Sequence, residues 1–216
     1  MIDIRIMPYG TVYCTRDYDY NMSKSNIGYG ILQNGFVIIN LDYPNDELEL
    51  DIIDTLLKKH KKLWLCGEWR TYNIPEYITH LCFDPSSEMF DNEVLNKLPT
   101  SLEFLSIMVE LFNEPLPNLP PNLKHLEIHS NCECDAPLDF LPIGIETLIL
   151  TNLYDSNVII NATFPPKLKT LVLETKKINQ TLRNLPATLE YLYIHADKCS
   201  QEGIKEYLPN VNIIYH

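Results

Sequence analysis

Residues 119–129 read LPPNLKHLEIH, and the pattern in this stretch decides the fold. A Leu-Pro pair is followed by apolar residues three, six and eight positions after the proline, here Leu123, Leu126 and Ile128. The pair, with Ile or Phe in place of Leu in two units, recurs at Ile74, Leu98, Leu119, Leu141, Phe164, Leu185 and Leu208, in steps of 24, 21, 22, 23, 21 and 23 residues. A period of this length is typical of solenoids built from one strand and one return segment per repeat.

Weaker copies without the proline extend the array upstream, at Leu32 to Leu41 and at Leu56 to Leu65. We therefore predict a solenoid over residues 32–207, with units starting near residues 32, 56, 74, 98, 119, 141, 164 and 185. Alternating Ile2, Ile4 and Ile6 before a turn at Pro8 to Gly10 predict a capping hairpin over residues 1–31. Residues 208–216 are predicted to form a C-terminal capping strand.

Within one repeat, the spacing of apolar residues predicts a short strand. Leu126 and Ile128 are two residues apart, so both side chains face the core, while His125, Glu127 and His129 face outward. Parallel stacking of such strands predicts an α/β, leucine-rich-repeat-like solenoid. It would be a curved horseshoe with the sheet on its inner face and short helices, 3-10 turns or loops on its outer face.

Two return segments carry helix signals. Asn45 or Asp46 can cap a helix whose apolar residues are Leu48, Ile52, Ile53, Leu56 and Leu57. Asp84-Pro85 can begin a second helix that carries Met89, Phe90, Val94 and Leu95. The remaining returns are predicted to anchor on the core through Phe112, Leu116, Leu138, Ile178 and Leu182.

The composition excludes several classes of function. A net charge of −12 argues against a nucleic-acid binder and against binding to an anionic membrane. The chain has no apolar run long enough to span a bilayer, and Met1 to Arg5 lacks the pattern of a signal peptide. Six irregularly spaced cysteines do not suggest a disulfide framework. We therefore expect a cytoplasmic protein with reduced thiols.

The stretch from Phe112 to Leu116, followed by Leu119 to Ile128, closely resembles the FNIP repeat, a relative of leucine-rich repeats. Ile178 to Leu182 before Leu185-Pro186 is a second copy of the same motif. The family is known from social amoebae and from giant DNA viruses that infect amoebae. For a viral protein, the expected location would be the host cytoplasm. The resemblance implies a protein-interaction scaffold without catalytic activity. Members often carry an F-box before the repeats, but residues 1–31 show no such helical pattern. A substrate-recognition subunit of a ubiquitin ligase therefore remains the alternative.

The outward-facing positions of successive strands are predicted to form three columns. Together these columns are the candidate surface for a catalytic or binding site. The middle column is predicted to contain Asn40, Trp64, Cys82, Ser106, Glu127, Ile149, Val172 and Tyr193. The N-side column contains Ile38, Lys62, His80, Phe104, His125, Thr147, Thr170 and Tyr191. The C-side column contains Asp42, Cys66, Asp84, Met108, His129, Thr151, Glu174 and His195. No column places a nucleophile beside a base and an orienting acid, so we expect neither an enzyme nor a cofactor.

His129, Cys132 and Cys134 are the only residues whose spacing suggests a metal. They lack a fourth ligand at recognisable spacing, so no metal site is predicted, although the sequence leaves the question open.

Aromatic and apolar side chains in the columns suggest a binding surface for a protein, because exposed side chains of this kind cost solubility unless a partner covers them. The alternative is that Ile and Val are simply good strand formers. The predicted protein-binding residues are Trp64, Phe104, His125, Glu127, His129, Ile149, Val172, Tyr191, Tyr193 and His195. The partner is expected to be a protein, and the oligomer a monomer or a homodimer through the C-terminal edge strand.

Overall fold

A computed structural model describes twelve parts of the chain. They are residues 29–31, 34–40, 50–66, 72–83, 92–109, 116, 118–130, 138, 140–153, 163–178, 184–199 and 210–215.

The architecture is a parallel β-solenoid with few helices, as the repeat predicts. Within the described residues, ten strands form one sheet in which the order in space follows the order in sequence. They are β1 (Tyr29–Ile31), β2 (Val37–Asn40), β3 (Lys62–Cys66), β4 (His80–Phe83), β5 (Phe104–Val109), β6 (His125–Ser130), β7 (Thr147–Leu153), β8 (Thr170–Ile178), β9 (Tyr191–Cys199) and β10 (Asn212–Tyr215). β1 and β2 pair antiparallel, and every later neighbour pairs parallel.

The Leu-Pro phrase forms the same turn in every described repeat. The proline carbonyl accepts a hydrogen bond from the N–H of the apolar residue three positions later, as in Leu123 to Pro120 at 3.1 Å and Leu189 to Pro186 at 3.1 Å. That apolar residue is buried in each unit: Ile78, Leu102, Leu123, Ile145, Leu168 and Leu189. The turn therefore places one apolar anchor in the core immediately before each strand.

The residue after each anchor joins neighbouring units. The Glu103 carbonyl accepts hydrogen bonds from the N–H groups of Lys124 and His125, at 2.9 and 3.0 Å. The Glu146 carbonyl does the same for Lys169 and Thr170, at 2.8 and 3.0 Å. Since each unit repeats this contact, the register of one strand fixes the start of the next.

The core lies on one face of the sheet, where two positions per strand carry apolar side chains. Leu126 and Ile128 are both buried there, which confirms the orientation predicted from their spacing. The equivalent pairs on β3 to β9 are Leu63 and Leu65, Leu81 and Phe83, Leu105 and Ile107, Leu148 and Leu150, Leu171 and Leu173, and Leu192 and Ile194.

The predicted return anchors have mixed outcomes. Leu116 and Leu138 are buried in the core, which confirms those two. Ile178 does not lie in a return segment, because β8 continues to that residue and pairs it with Cys199. Phe112 and Leu182 lie outside the described residues.

The first predicted helix is present as α1 (Leu50–His60). Its residues Ile53 and Leu57 pack into the core, while Ile52 faces solvent. Lys61 ends the helix in the left-handed region, with φ of 56°, and its N–H bonds the Leu57 carbonyl at 2.7 Å. The predicted caps Asn45 and Asp46 lie outside the described residues.

The second predicted helix is described only at its end, as α2 (Asn92–Leu95), where Val94 and Leu95 are buried. Its predicted start at Asp84-Pro85 lies outside the described residues, as does the predicted hairpin around Ile2 to Val12. Within the predicted terminal segment, Asn212–Tyr215 form β10, which pairs parallel with β9. No helix in the described parts is long and apolar enough to cross a membrane.

Candidate binding face

Where the structure describes them, the three predicted columns lie on the face of the sheet opposite the core; Asp42 and Asp84 of the C-side column lie outside the described residues. From β3 to β9 the middle column follows the predicted order, with Trp64 beside Cys82, then Ser106, Glu127, Ile149, Val172 and Tyr193. The prediction for β2 is wrong by two residues, because Ile38 pairs with Trp64 and Asn40 with Cys66. A register shift after Leu150 interrupts the C-side column between β7 and β8.

The middle column is buried, whereas the sequence led us to expect it to be exposed. Trp64, Ile149, Val172 and Tyr193 are each 7% exposed or less, and Glu127 is fully buried. The expectation of exposure is therefore wrong for these residues. The physical reason is that side chains on both adjoining strands flank each position at about 4.8 Å, so sheet packing removes most of its surface.

The more accessible residues among those predicted to bind lie beside the middle column. Phe104, His125 and Tyr191 of the N-side column are half-buried, and His195 of the C-side column is exposed. The Phe104 ring stacks on His125 with 4.5 Å between centroids and on His80 with 5.6 Å. These three rings form one continuous stack across β4, β5 and β6.

Two apolar clusters occupy the ends of this face. The first contains Phe36, Ile38, Trp64, Cys66 and Cys82, with Phe104 packed against it. The second contains Ile149, Val172 and Tyr193, with Tyr191 and Ile214 packed against it. Burial and the neighbouring Tyr191 raise the pKa of the Tyr193 hydroxyl.

A polar cluster separates the two apolar ones, centred on Glu127 of β6. One carboxylate oxygen, Oε1, lies 2.8 Å from His125 Nε2, and the other, Oε2, lies 3.4 Å from His129 Nε2. His129 Nδ1 lies 2.7 Å from the Thr151 hydroxyl on β7. Both imidazoles reach the carboxylate through Nε2, so each can donate a hydrogen bond to Glu127.

Opposing effects set the charge of Glu127. Burial alone would raise the pKa of this carboxyl, but the hydrogen bonds and charges of His125 and His129 outweigh it and lower the pKa. Glu127 is therefore an ionised carboxylate held inside the sheet face. A buried charge of this kind is tolerated only while its partners stay in place.

The side chains of the Glu127 cluster contact one another, and Glu127, His129 and Thr151 are shielded from solvent. Thr151, His129 and Glu127 line up a hydroxyl, an imidazole and a carboxylate, but all three are buried, so the hydroxyl has no open approach. The His80 Nδ1 lies 2.9 Å from the Thr79 hydroxyl. Burial and the charge of Lys62 lower the pKa of His80.

Of the three residues considered as metal ligands, the structure describes only His129. His129 is engaged with Glu127 and Thr151, while Cys132 and Cys134 lie outside the described residues. Within the described ranges, no group of histidine, cysteine and carboxylate side chains has the geometry to hold a metal ion.

A charged ladder along the strand starts escaped our sequence analysis. The residue four positions after each repeat proline alternates in charge from β5 to β9: Glu103, Lys124, Glu146, Lys169 and Glu190. Lys124 Nζ lies 3.0 Å from the Glu103 carboxylate, and Lys169 Nζ lies 2.7 Å from that of Glu146. The hydrogen bond from Lys169 lowers the pKa of Glu146, and the same bond raises that of Lys169. Reading down the aligned repeats would have found this ladder.

Comparison with protein families supports the repeat assignment. Residues 112–152, which span β6 and most of β7, match the family model described as FNIP Repeat. Comparison with curated proteins and with solved structures found no match. The matched stretch includes the Leu-Pro turns and strands that recur along the sheet, so residues 112–152 are similar to FNIP repeats in both sequence and structure-forming pattern.

Proposed function

We propose that this protein is a non-enzymatic scaffold for protein–protein interaction, which binds its partner with the sheet face opposite the core. In this proposal the sheet curves as in a leucine-rich-repeat horseshoe and the binding face lies on its inner side. The location is the cytoplasm, and neither nucleic acid nor membrane is the partner, in keeping with the net charge of −12.

The observation that carries the proposal is the chemistry of the face opposite the core. A solvent-facing sheet normally carries polar side chains on its outer face. Here two apolar clusters flank the Glu127 cluster, and half-buried rings of Phe104, His125 and Tyr191 line its N-side. Aromatic side chains with part of their surface accessible are favoured at the centres of protein interfaces.

The accessible ring of Tyr191 is the best place to test the proposal. Tyr193, the neighbouring ring, is buried, so its substitution would report on packing as much as on binding. We expect Tyr191→Ala to weaken binding of a partner while leaving the melting temperature unchanged, because the half-buried ring contributes more to the surface than to the core.

The experiment is affinity purification of the tagged full chain from its native cell, followed by identification of bound proteins. A partner kept by the wild type and by the control Ile52→Ala, but lost from Tyr191→Ala and His195→Ala, would support the proposal. Equal retention by all four proteins would contradict it. Co-purification of ubiquitin-ligase components would instead favour the ligase alternative.

Self-association through β10 is a second part of the proposal. β10 pairs with β9 along one side and is the last strand of the described sheet. An unpaired strand edge offers backbone groups to another chain. Light scattering should show a dimer that is lost when residues 211–216 are deleted, and a dimer that persists would exclude this edge.

A further inference from the structure

Side chains join the turns of neighbouring units, in addition to the backbone bonds that pair the strands. The residue two positions after the repeat proline can reach back to the turn of the preceding unit. Before β9 this residue is Thr188, whose hydroxyl lies 2.9 Å from the carbonyl oxygens of both Pro166 and Leu168. The hydroxyl therefore links the turn before β9 to the turn before β8.

The same position makes equivalent contacts at two earlier boundaries between units. Before β5, the Ser101 hydroxyl lies within hydrogen-bonding distance of the carbonyl oxygens of Glu76 and Ile78, the second at 2.6 Å. Before β6, the Asn122 side-chain amide donates to the Thr100 carbonyl at 2.9 Å. Each of these boundaries is therefore closed on its turn side by a hydrogen bond from a side chain.

The boundary between β6 and β7 lacks this link, because the residue at the position is glycine. Gly144 has no side-chain donor, and a Cβ placed on it would lie 3.4 Å from the Leu123 carbonyl oxygen and 3.7 Å from that of Pro121. These two carbonyls are the equivalents of the ones that Thr188 contacts. Among the described glycines, φ is positive at Gly35 but not at Gly144, so the backbone here does not require glycine.

The charged ladder also skips the boundary between β6 and β7. Lys124 pairs with Glu103 across β5 and β6, and Lys169 pairs with Glu146 across β7 and β8. In the described part of the chain, no ion pair joins Lys124 to Glu146. The pKa of Glu146 is lowered first by the hydrogen bond from Lys169 and to a smaller extent by the more distant Lys124. Because such exposed attraction contributes little, the turn side of this boundary lacks both links.

The side-chain link that does cross from β6 to β7 lies at the far end of the strands. There His129 Nδ1 lies 2.7 Å from the Thr151 hydroxyl. On the turn side, the N–H groups of Glu146 and Thr147 bond the Lys124 carbonyl at 2.8 and 3.0 Å, as the equivalent groups do in other units. Since those backbone bonds recur along the sheet, this boundary differs from the others in its side-chain links.

We propose that the boundary between β6 and β7 is a hinge built into the solenoid, which opens on its turn side while the His129–Thr151 contact holds the far end. In a repeat array each unit contacts only its neighbours, so the boundary with the fewest links opens at the lowest cost in free energy. Opening changes the angle between the part of the sheet that ends with β6 and the part that begins with β7. The hinge does not depend on which partner the scaffold binds.

Amide hydrogen exchange of the full chain, measured residue by residue by NMR, tests the hinge. The N–H groups of Glu146 and Thr147 report on the boundary between β6 and β7. Those of Lys124 and His125 occupy the same positions one unit earlier and report on β5 and β6. After correction for intrinsic rates, the first pair should exchange about threefold faster or more under native conditions. Equal rates for the two pairs would overturn the hinge.

Gly144→Ser supplies the missing donor and should close the hinge. We expect it to slow exchange of Glu146 and Thr147 about threefold, the effect of one modest hydrogen bond. Gly144→Ala is the matched control, because it also removes the flexibility of glycine but adds no donor, and it should slow exchange less. Equal slowing by the two variants, or none by Gly144→Ser, would contradict the proposal.

Thr188→Ala makes the converse change at a boundary that has its link. It should speed exchange of the Glu190 and Tyr191 N–H groups, which bond the Lys169 carbonyl, about threefold. Exchange of Glu146 should stay at the wild-type rate. No change at Glu190 and Tyr191 would show that these hydroxyl links do not hold the turns together, and the hinge would then have no basis.

Discussion

Both faces of the sheet carry buried side chains, but the two sets differ in kind. On the core face the first position of every strand from β3 to β9 is leucine: Leu63, Leu81, Leu105, Leu126, Leu148, Leu171 and Leu192. On the opposite face the middle column presents seven different residue types: Trp64, Cys82, Ser106, Glu127, Ile149, Val172 and Tyr193. The repeat therefore constrains one face only. The other face is free to acquire local clusters of its own.

Substitution on the core face should have the largest effect. We expect Leu126→Ala to cost about 4 kcal/mol of unfolding free energy, because it opens a cavity in the continuous core. Ile149→Ala on the opposite face should cost about 2 kcal/mol, since its cluster is small. Urea unfolding of both variants measures the difference. A cost of Ile149→Ala near zero would show that the second face is open to water.

Breaking the polar cluster should have the largest effect among changes to the second face. We expect Glu127→Leu to cost about 3 kcal/mol, because it leaves the Nε2–H groups of His125 and His129 without their acceptor. Ser106→Ala, at the neighbouring buried position of the same column, is the control and should cost about 1 kcal/mol. The triple variant H125L/E127L/H129L should recover part of the loss, and no recovery would contradict a paired cluster.

The pH dependence of stability follows from the lowered pKa of Glu127. A carboxyl with a folded pKa below its ordinary value of 4.5 stabilises the fold above that pH, and this contribution is lost as the pH falls through the folded value. The stability advantage of wild type over Glu127→Gln should therefore shrink on acidification below about pH 4.5. An advantage that grows on acidification would mean that the carboxyl is neutral in the fold.

Reversal of one charge in the exposed ladder should have the smallest effect. Lys169→Glu places like charge beside Glu146 and Glu190, so the melting temperature should fall slightly. The difference should vanish at about 1 M salt, where the screening length is about 3 Å. A salt-independent loss would indicate that Lys169 contributes by packing.

The sequence predicted the solenoid well where the Leu-Pro turn is present. The anchor three residues after each proline and the strand that follows are in the predicted places, and the register from β3 to β9 is as expected. The units of β2 and β3 both lack the proline, and the predicted register is correct for β3 but wrong for β2. There Gly35 and Lys61, with φ of 84° and 56°, stand at equivalent positions before β2 and β3. These left-handed residues replace the Leu-Pro turn, and apolar spacing alone does not indicate them.

Burial on the face opposite the core was harder to predict, because it does not follow the repeat of the sequence. Alternation in β6 indicates correctly that Glu127 faces away from Leu126, but it does not show that His125 and His129 enclose the carboxylate. That outcome depends on rotamers and on Thr151 of the next strand. Tyr191 and Tyr193 likewise occupy neighbouring outward-facing positions of β9, yet Tyr191 is half-buried and Tyr193 is buried.

Thiol alkylation of the intact native protein, mapped by mass spectrometry, tests most directly whether the middle column of the second face is closed to solvent. Cys82 lies in the middle column and is 2% exposed. We predict that it reacts only as fast as the chain unfolds, and that denaturant accelerates the reaction in step with global unfolding. Alkylation of Cys82 in the native protein at the rate of an unfolded chain would contradict the account.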